Sequence, residues 1–246
     1  EIALAFARFG ANLVIASRKP DNLEAAARRI TSLGVECLPV PTNIRELDQV
    51  DALVEQVDKR LGTPDFLINN AGGQFPARPT EISDQGWRSV VDLNLNGTWN
   101  LCSRFGPRML DRGAGVIVNI VHIYSLDRGA HDFAHSGAAR AGVVNLTKSL
   151  AFHWARHGVR VNALAPGTIS TVGLRKEEYS RAEDENIEAV QVSEIPTQRL
   201  GEANEVAAIT LFLCSDAARY INGTTLVADG AYSVANWTPM RDPSSL

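Results

Sequence analysis

The segment Ile68-Asn69-Asn70-Ala71-Gly72 ends a short apolar run that starts at residue 66. A run this short, apolar at successive positions and closed by small residues, predicts a strand buried on both faces. Similar runs recur along the chain, at 12–17, 36–40, 116–121, 159–164 and 225–228. Helical patterns separate them, at 22–33, 47–61, 84–110, 138–156 and 202–213. This alternation predicts an α/β fold with a doubly wound parallel sheet and helices on both of its faces.

The first ten residues form an amphipathic pattern that ends at Gly10 and predicts the second half of a helix. In a Rossmann-type sheet, a strand and a glycine-rich turn precede such a helix, and the turn receives the cofactor pyrophosphate. The N-terminal strand and glycine-rich turn are absent from the given sequence, so we expect roughly two dozen native residues before Glu1. Because no repeat or linker is visible, residues 1–246 are predicted to form a single Rossmann-type domain.

Composition narrows the classes of partner. The chain has 246 residues, 45% of them hydrophobic, and a formal net charge of −4, which argues against binding to nucleic acid. No apolar stretch reaches the ~18 residues that a membrane span requires. Cys37, Cys102 and Cys214 are odd in number and lack metal-ligand spacing, so we expect buried thiols, no metal site and a cytoplasmic location.

Three further motifs accompany the first one. They are Asn94-Leu95-Asn96-Gly97, Gly115-Val116-Ile117-Val118-Asn119 and Ala165-Pro166-Gly167-Thr168. With them, the chain resembles short-chain dehydrogenase/reductases over nearly its whole length. The resemblance implies a nicotinamide cofactor bound near Asn70, Ala71 and Gly72, with Pro166, Gly167 and Thr168 meeting the nicotinamide amide. It also implies that Asn94 distorts its helix and anchors a water molecule.

The end of the first strand indicates which nicotinamide cofactor is bound. A dehydrogenase selective for NAD usually places an acidic residue there, to accept hydrogen bonds from the ribose diol. Ser17, Arg18 and Lys19 instead offer donors and positive charge, which favour the 2′-phosphate of NADP(H). A solvated basic turn is the alternative interpretation. After the next strand, the resemblance gives Asn43 to the adenine, although an asparagine here could also cap the following helix.

The catalytic motif departs from the usual pattern of the family. Most members pair a tyrosine with a lysine, which lowers the pKa of the phenol that gives its proton to a carbonyl. Ser136 stands at the tyrosine position and Arg140 at the lysine position, and His122 and Ile123 stand near the expected catalytic serine. An aliphatic hydroxyl is a poor acid, and a guanidinium stays charged, so this site does not suit ordinary ketone reduction. Arg140 can still donate hydrogen bonds to the nicotinamide ribose.

Reduction of a carbon–carbon double bond beside a thioester has different needs. Negative charge develops on the thioester oxygen, so the site must stabilise an oxyanion. Tyr124 lies just beyond the end of a strand, where active sites of open α/β sheets gather. The chain resembles 2,4-dienoyl-CoA reductases in this tyrosine and trans-2-enoyl-CoA reductases in residues 69–75 and 135–142. The resemblance implies an NADPH-dependent 2-enoyl-CoA reductase with Tyr124, Asn94, Ser136 and Arg140 in catalysis.

Several assignments stay open. The resemblance places Gln74, and with it Phe75, against the substrate carbonyl. His122, His131 and His135 could each donate a proton, since histidine titrates near neutral pH, and each could equally be structural. Tyr124 could merely pack at the strand end. The chain could also be a 3-oxoacyl or other carbonyl reductase, or a catalytically silent scaffold that binds the cofactor.

The segment from about 168 to 196 is predicted to be a lid over an acyl-thioester substrate. Loops this long in compact domains are usually functional. Arg175 and Lys176, with Arg78 on the opposite rim, could meet phosphates of coenzyme A, or could form a solvated charged face. The resemblance further implies that the two long helices pair between copies, giving a homo-oligomer, either a dimer or a tetramer.

Overall fold

The computed structural model describes residues 1–129, 132–174 and 186–234. It contains eight strands: β1 (Leu13–Ser17), β2 (Cys37–Pro41), β3 (Phe66–Asn69), β4 (Gly115–Ile120), β5 (Val159–Pro166), β6 (Ile169–Ser170), β7 (Gly201–Glu202) and β8 (Thr225–Ala228). All pairings are parallel, and the main sheet has the order β3-β4-β5-β8. The six predicted strands are confirmed with their ends within two residues, and the α/β class is confirmed with them.

Within the described residues, eight α-helices accompany the strands: α1 (Ile2–Arg8), α2 (Pro20–Thr31), α3 (Leu47–Arg60), α4 (Asp84–Val91), α5 (Gly97–Arg112), α6 (Ala134–Trp154), α7 (Ile187–Glu194) and α8 (Ala203–Cys214). The helical segment predicted at 84–110 contains a π-helical turn at Asp92–Asn96, which lies between α4 and α5. Helix α6 starts four residues earlier than predicted, and α7 lies within the segment predicted to be a lid. No helix in the described part of the chain is long and apolar enough to cross a bilayer.

The central strand β4 shows why helices cover both faces. Successive side chains of a strand point to opposite faces. Val116, Val118 and Ile120 pack with α1 and α8 on one face, whereas Ile117 packs with α5 and α6 on the other. Ile117 and Val118 are fully buried. Because both faces are apolar, the strand cannot face water on either side, and the predicted doubly wound arrangement is confirmed.

The sheet is divided between β1 and β3. Strand β1 pairs with β2, and β3 pairs with β4, so these strands belong to a two-stranded and a four-stranded parallel sheet. The short strands β6 and β7 form a separate parallel pair. A cavity of about 1070 Å³ passes between β1 and β3. It lies where the sequence predicts one further strand, and that strand and its glycine-rich turn stay predictions.

Candidate active site

The large cavity joins the carboxyl ends of β1, β3, β4 and β5. Most of the predicted cofactor residues line it: Ser17, Arg18, Asn43, Asn70, Ala71, Gly72 and Pro166. Its volume of about 1070 Å³ exceeds the ~300–1,000 Å³ of ordinary ligand pockets, because the cavity includes the space where the sequence predicts one further strand. Its lower part, between β1 and β3, is apolar, while the predicted residues form its polar rim. The structure therefore brings the two ends of the predicted dinucleotide site together in one space.

Four predicted cofactor residues do not line this cavity: Arg140, which is described below, and Lys19, Gly167 and Thr168. Lys19 is exposed and precedes the first turn of α2, so its side chain is not part of the cavity wall. Thr168 lines a smaller cavity of about 190 Å³ on the other side of Pro166. Gly167 packs against Asp229, and a Cβ at this glycine would lie 2.8 Å from the Asp229 Cβ. Their contact with a cofactor stays a prediction.

The predicted adenine end is polar and basic. Ser17 is half-buried and Arg18 is exposed, and Arg18 has no ion-pair partner within the described residues. Asn43 does not cap α3, which begins at Leu47 without a side-chain cap bond. Instead, the Asn43 Oδ1 accepts a hydrogen bond from Arg45 Nε at 3.1 Å. The cap interpretation of Asn43 is therefore wrong, and its amide edge stays on the cavity wall.

At the other end, Asn94 and Gly73 hold each other through two hydrogen bonds. The Asn94 Nδ2 donates to the Gly73 carbonyl at 2.7 Å, and its Oδ1 accepts from the Gly73 N–H at 3.3 Å. The same Nδ2 donates to the Val90 carbonyl at 2.9 Å. Asn94 is buried within the π-helical turn, so the predicted distortion of its helix is confirmed. Its amide is used to fix the backbone after β3.

Arg140 is buried against the same backbone. Its guanidinium donates to the Ile120 carbonyl at 2.5 Å and to the Ala71 carbonyl at 3.4 Å. A Cβ on Gly72 would lie 1.8 Å from the Arg140 Nη2, so only glycine leaves room for the guanidinium here. Burial lowers the pKa of Arg140 to about 10, and the side chain still carries its charge at neutral pH. The site therefore holds a fixed positive charge beside the Ala71-Gly72 backbone.

Ser136 and His122 form a hydrogen-bonded pair. The His122 Nε2 lies 3.1 Å from the Ser136 Oγ, and Ser136 is only 2% exposed. Burial and the Arg140 charge lower the pKa of His122 to about 4, so the imidazole is neutral at physiological pH. His122, which stands near the expected place of the catalytic serine, thus contacts Ser136 directly.

Tyr124 follows His122 in a 3₁₀ turn at Ile123–Ser125 and is half-buried. Its ring packs edge-on against that of His122, with 5.7 Å between centroids. Tyr232 lies near Tyr124 and donates a hydrogen bond to Glu194 Oε2 at 3.2 Å. Burial first, and then Tyr124 and Glu194, raise the pKa of Tyr232. Tyr124 thus lies beside the predicted site, near Tyr232.

Tyr232 is a site residue that the sequence analysis missed. Its carbonyl accepts a hydrogen bond from Arg128 Nη1 at 2.7 Å, and the Arg128 guanidinium lies 4.8 Å from its ring centroid. It joins three segments: the turn after β4, the end of α7 at Glu194, and the C-terminal turn. No sequence motif surrounds it, and only the fold brings it to Tyr124.

Of the predicted substrate residues, Phe75 packs against the start of α6. Phe75 is half-buried and packs edge-on against His135, with 4.5 Å between ring centroids. His135 is fully buried, its Nδ1 accepts the Ser136 N–H at 3.0 Å, and it packs as a structural residue. Gln74 is half-buried beside Phe75. His131, Arg175 and Lys176 lie outside the described residues.

Comparison with known proteins matches the chain to reductases. A family model described as enoyl-(acyl carrier protein) reductase matches residues 1–233. A peroxisomal 2,4-dienoyl-CoA reductase of Danio rerio is 38% identical over 231 residues, which cover 93% of this chain and 75% of that protein. A 3-oxoacyl-(acyl-carrier-protein) reductase, FabG, of Staphylococcus epidermidis is 33% identical over 230 residues, covering 93% and 91%.

Solved structures share the fold as well as part of the sequence. A short chain dehydrogenase from Bacillus anthracis has a TM-score of 0.86 at 36% identity, and the match covers 97% of this chain and 92% of that one. A gluconate 5-dehydrogenase from Burkholderia cenocepacia, solved in complex with NADP and tartrate, has a TM-score of 0.87 at 30% identity, covering 95% and 90%.

Proposed function

The chain belongs to the short-chain dehydrogenase/reductase family, and from that membership we propose that it is an NADPH-dependent reductase of 2-enoyl-CoA thioesters. The reaction adds a hydride to the β-carbon and a proton to the α-carbon of the double bond. The relatives named as dienoyl-CoA reductases support an unsaturated acyl thioester as substrate class.

The main support for this proposal is the burial and hydrogen bonding of Ser136. A ketone reductase needs an acid at this position, yet the structure has a buried aliphatic hydroxyl bonded to a neutral imidazole. Arg140, at the place of the usual lysine, is bonded to backbone carbonyls and retains its proton at neutral pH. Hydrogen-bond donors and a fixed charge remain, and these suit an enolate oxygen better than a ketone that must be protonated.

The residues on the cavity wall fit a phosphorylated nicotinamide cofactor. NADPH, when bound, would supply the hydride. Ala71 and Gly72 are exposed and carry little or no side chain, so a flat ring can approach the backbone closely. At the other end, Ser17 and the unpaired Arg18 would hold the 2′-phosphate, and no carboxylate from the end of β1 lines the cavity. Arg140 would face the ribose side of the nicotinamide.

The substrate would lie between Tyr124 and Phe75. Phe75 offers an apolar surface to the acyl chain, and Gln74 beside it would bond the thioester carbonyl. Tyr124 would donate to the enolate oxygen. Loss of one donor of this kind costs roughly 10²–10³ in turnover in enzymes that depend on it.

The decisive experiment follows NADPH oxidation at saturating cofactor with three acyl-CoA substrates of one chain length: a 2-enoyl, a 2,4-dienoyl and a 3-oxoacyl thioester. We expect turnover of the enoyl substrate and little or none of the 3-oxoacyl one. NADH replaces NADPH in a parallel series and should be the poorer donor. Turnover of the 3-oxoacyl thioester alone would refute the proposal.

A 3-oxoacyl reductase is the second candidate, favoured by the FabG relative at 33% identity. In that case Tyr124 would have to provide the proton that Ser136 cannot. The same three-substrate assay separates the two activities, because Tyr124→Phe would then abolish ketone reduction and not merely slow it.

The assembly and the compartment are part of the proposal. Trp99 on α5 is 46% exposed and Phe152 on α6 is 82% exposed, so each helix presents an aromatic side chain to solvent. We propose that these helices pair between copies in a homodimer or tetramer. Phe152→Glu should yield a smaller species in sedimentation velocity. The free thiols suit the cytoplasm, and imaging of the tagged native protein would test that location.

A further inference from the structure

The three positions at which the chain departs from the usual catalytic motif meet in space. His122 ends β4, while Ser136 and Arg140 lie on the first two turns of α6. The His122 Nε2 is 3.1 Å from the Ser136 Oγ, and the Arg140 charge acts on the His122 ring. A strand end and a helix start thus place one imidazole over one hydroxyl, beside one guanidinium.

A second hydroxyl fixes the other side of the ring. The Ser125 Oγ lies 3.4 Å from the His122 Nδ1 and accepts the His122 backbone N–H at 3.2 Å. The Ser125 hydroxyl donates its proton to the His122 carbonyl. The oxygen facing Nδ1 is therefore an acceptor, which places the ring hydrogen on Nδ1 and leaves Nε2 to accept from Ser136.

The surroundings keep this ring neutral. The groups that face it are Arg140 from α6, Ser136 from α6, and Tyr124 and Ser125 from its own turn. No carboxylate within the described residues contacts it. Burial and the Arg140 charge both lower the pKa of His122, to about 4, so above pH ~5 its ring carries no excess proton to give away.

We propose that His122 is a positioning residue for Ser136, fixing its hydroxyl rotor so that the hydroxyl, the imidazole and the Arg140 charge act as one preorganised hydrogen-bond unit at the thioester oxygen. This rests on the proposed reduction of an enoyl thioester. When an acceptor oxygen arrives, the ring can change tautomer through solvent: one proton leaves Nδ1 and one is taken up at Nε2, and the Ser125 hydroxyl turns to donate to Nδ1. The Ser136 oxygen then accepts from Nε2–H and donates its own hydrogen to the acceptor oxygen. His122 acts through Ser136 and is not the acid of the reaction.

The test uses four proteins and two controls: His122→Leu, His122→Gln, Ser136→Ala, the double variant His122→Leu/Ser136→Ala, the wild type, and His153→Leu at an exposed histidine of α6. We expect His122→Leu to lower kcat on the enoyl thioester at least about tenfold, with the KM for NADPH and the melting temperature unchanged. His122→Gln, which keeps a polar tip, should recover part of that loss. The double variant should be no slower than Ser136→Ala.

The pH profile separates positioning from acid catalysis. With a neutral His122, kcat should be flat between about pH 5.5 and 8. A kcat that falls as pH rises through about 6.5, and that becomes flat in His122→Gln, would show an imidazolium acid and overturn the proposal. Additive effects in the double variant, or an unchanged kcat in His122→Leu, would also overturn it.

A readout independent of activity completes the design. In the ¹⁵N-histidine-labelled protein, the His122 signals should show the tautomer protonated at Nδ1, assigned by their absence in His122→Gln. Ser136→Ala should shift the Nε2 resonance and leave those of His153 unchanged. If the wild type turns over only the 3-oxoacyl thioester, the proposed function fails, while the coupling of His122 and Ser136 is still measured on that substrate.

Discussion

Replacing Gly72 by alanine puts a methyl group where the structure already holds a buried guanidinium. The new Cβ would lie 1.8 Å from the Arg140 Nη2 and 2.8 Å from the Asn94 Oδ1. Arg140 must then leave the Ala71 carbonyl, and its bond to the Ile120 carbonyl is strained or lost.

The magnitude follows from those bonds. A hydrogen bond to a charged group contributes about 1.5–3 kcal/mol, while exchanging glycine for alanine restores ~0.4–1 kcal/mol by restricting the unfolded chain. The net loss is about 0.5–2.6 kcal/mol, which lowers the melting temperature of a chain this size by roughly 1–10 °C. Gly73→Ala is the matched control, because its Cβ would meet only the end of the Leu93 side chain, at 3.1 Å. We expect this control to melt within roughly 2 °C of the wild type.

Scanning calorimetry measures the two melting temperatures, and the fluorescence of NADPH measures binding. Gly72→Ala should also weaken NADPH binding about tenfold, because the displaced Arg140 intrudes on the cavity rim. Equal melting temperatures for the two alanine variants would refute the reasoning, since only one of the new methyl groups meets a fixed charge.

Three further predictions concern single side chains. Tyr124→Phe should lower turnover of an enoyl-CoA at least about tenfold in steady-state kinetics, and an unchanged kcat would remove its hydroxyl from the mechanism. Arg18→Ala should raise the KM for NADPH roughly ten- to a hundredfold through the loss of a charge-assisted hydrogen bond, and leave that for NADH almost unchanged; equal effects on both would contradict a 2′-phosphate contact. Burial raises the pKa of Cys102 and Cys214 to about 12, so at pH 8 a thiol reagent should label only Cys37 in the native protein, as read by mass spectrometry; labelling of all three would show that the core opens readily.

The strands and their partners could be predicted because burial on two faces leaves a plain signal in the sequence. Residues 116–121 are apolar at every position but Asn119. Asn119 is buried, and its amide is hydrogen-bonded to Asn69 and Thr147. The π-helical turn could not be placed from hydrophobic periodicity. One inserted residue shifts the spacing of apolar residues by less than that spacing ordinarily varies along a single sequence. Only the resemblance pointed to a distortion at Asn94.

The residues that form the candidate site could be predicted from the sequence, but the directions of their side chains could not. Motif order placed Ser136, Arg140 and Asn94 together, since each lies at a carboxyl end of the sheet or on the helix that follows. The direction of a side chain depends on partners far away in sequence. Arg140 turns to the Ile120 and Ala71 carbonyls, and Tyr124 lies near Tyr232, which is in a turn with no motif of its own.

The π-helical turn at Asp92–Asn96 changes the direction in which the side chains after it point from the helix axis. Each residue of an α-helix advances the side-chain direction by about 100°, so one extra residue in a turn rotates everything downstream by that angle. Asn94 can thus point at the backbone after β3, while Trp99, one turn later, points to solvent. Deleting a single residue from this turn would restore an unbroken α-helix and swing Trp99 and its neighbours around the axis, away from the direction in which Trp99 now meets solvent.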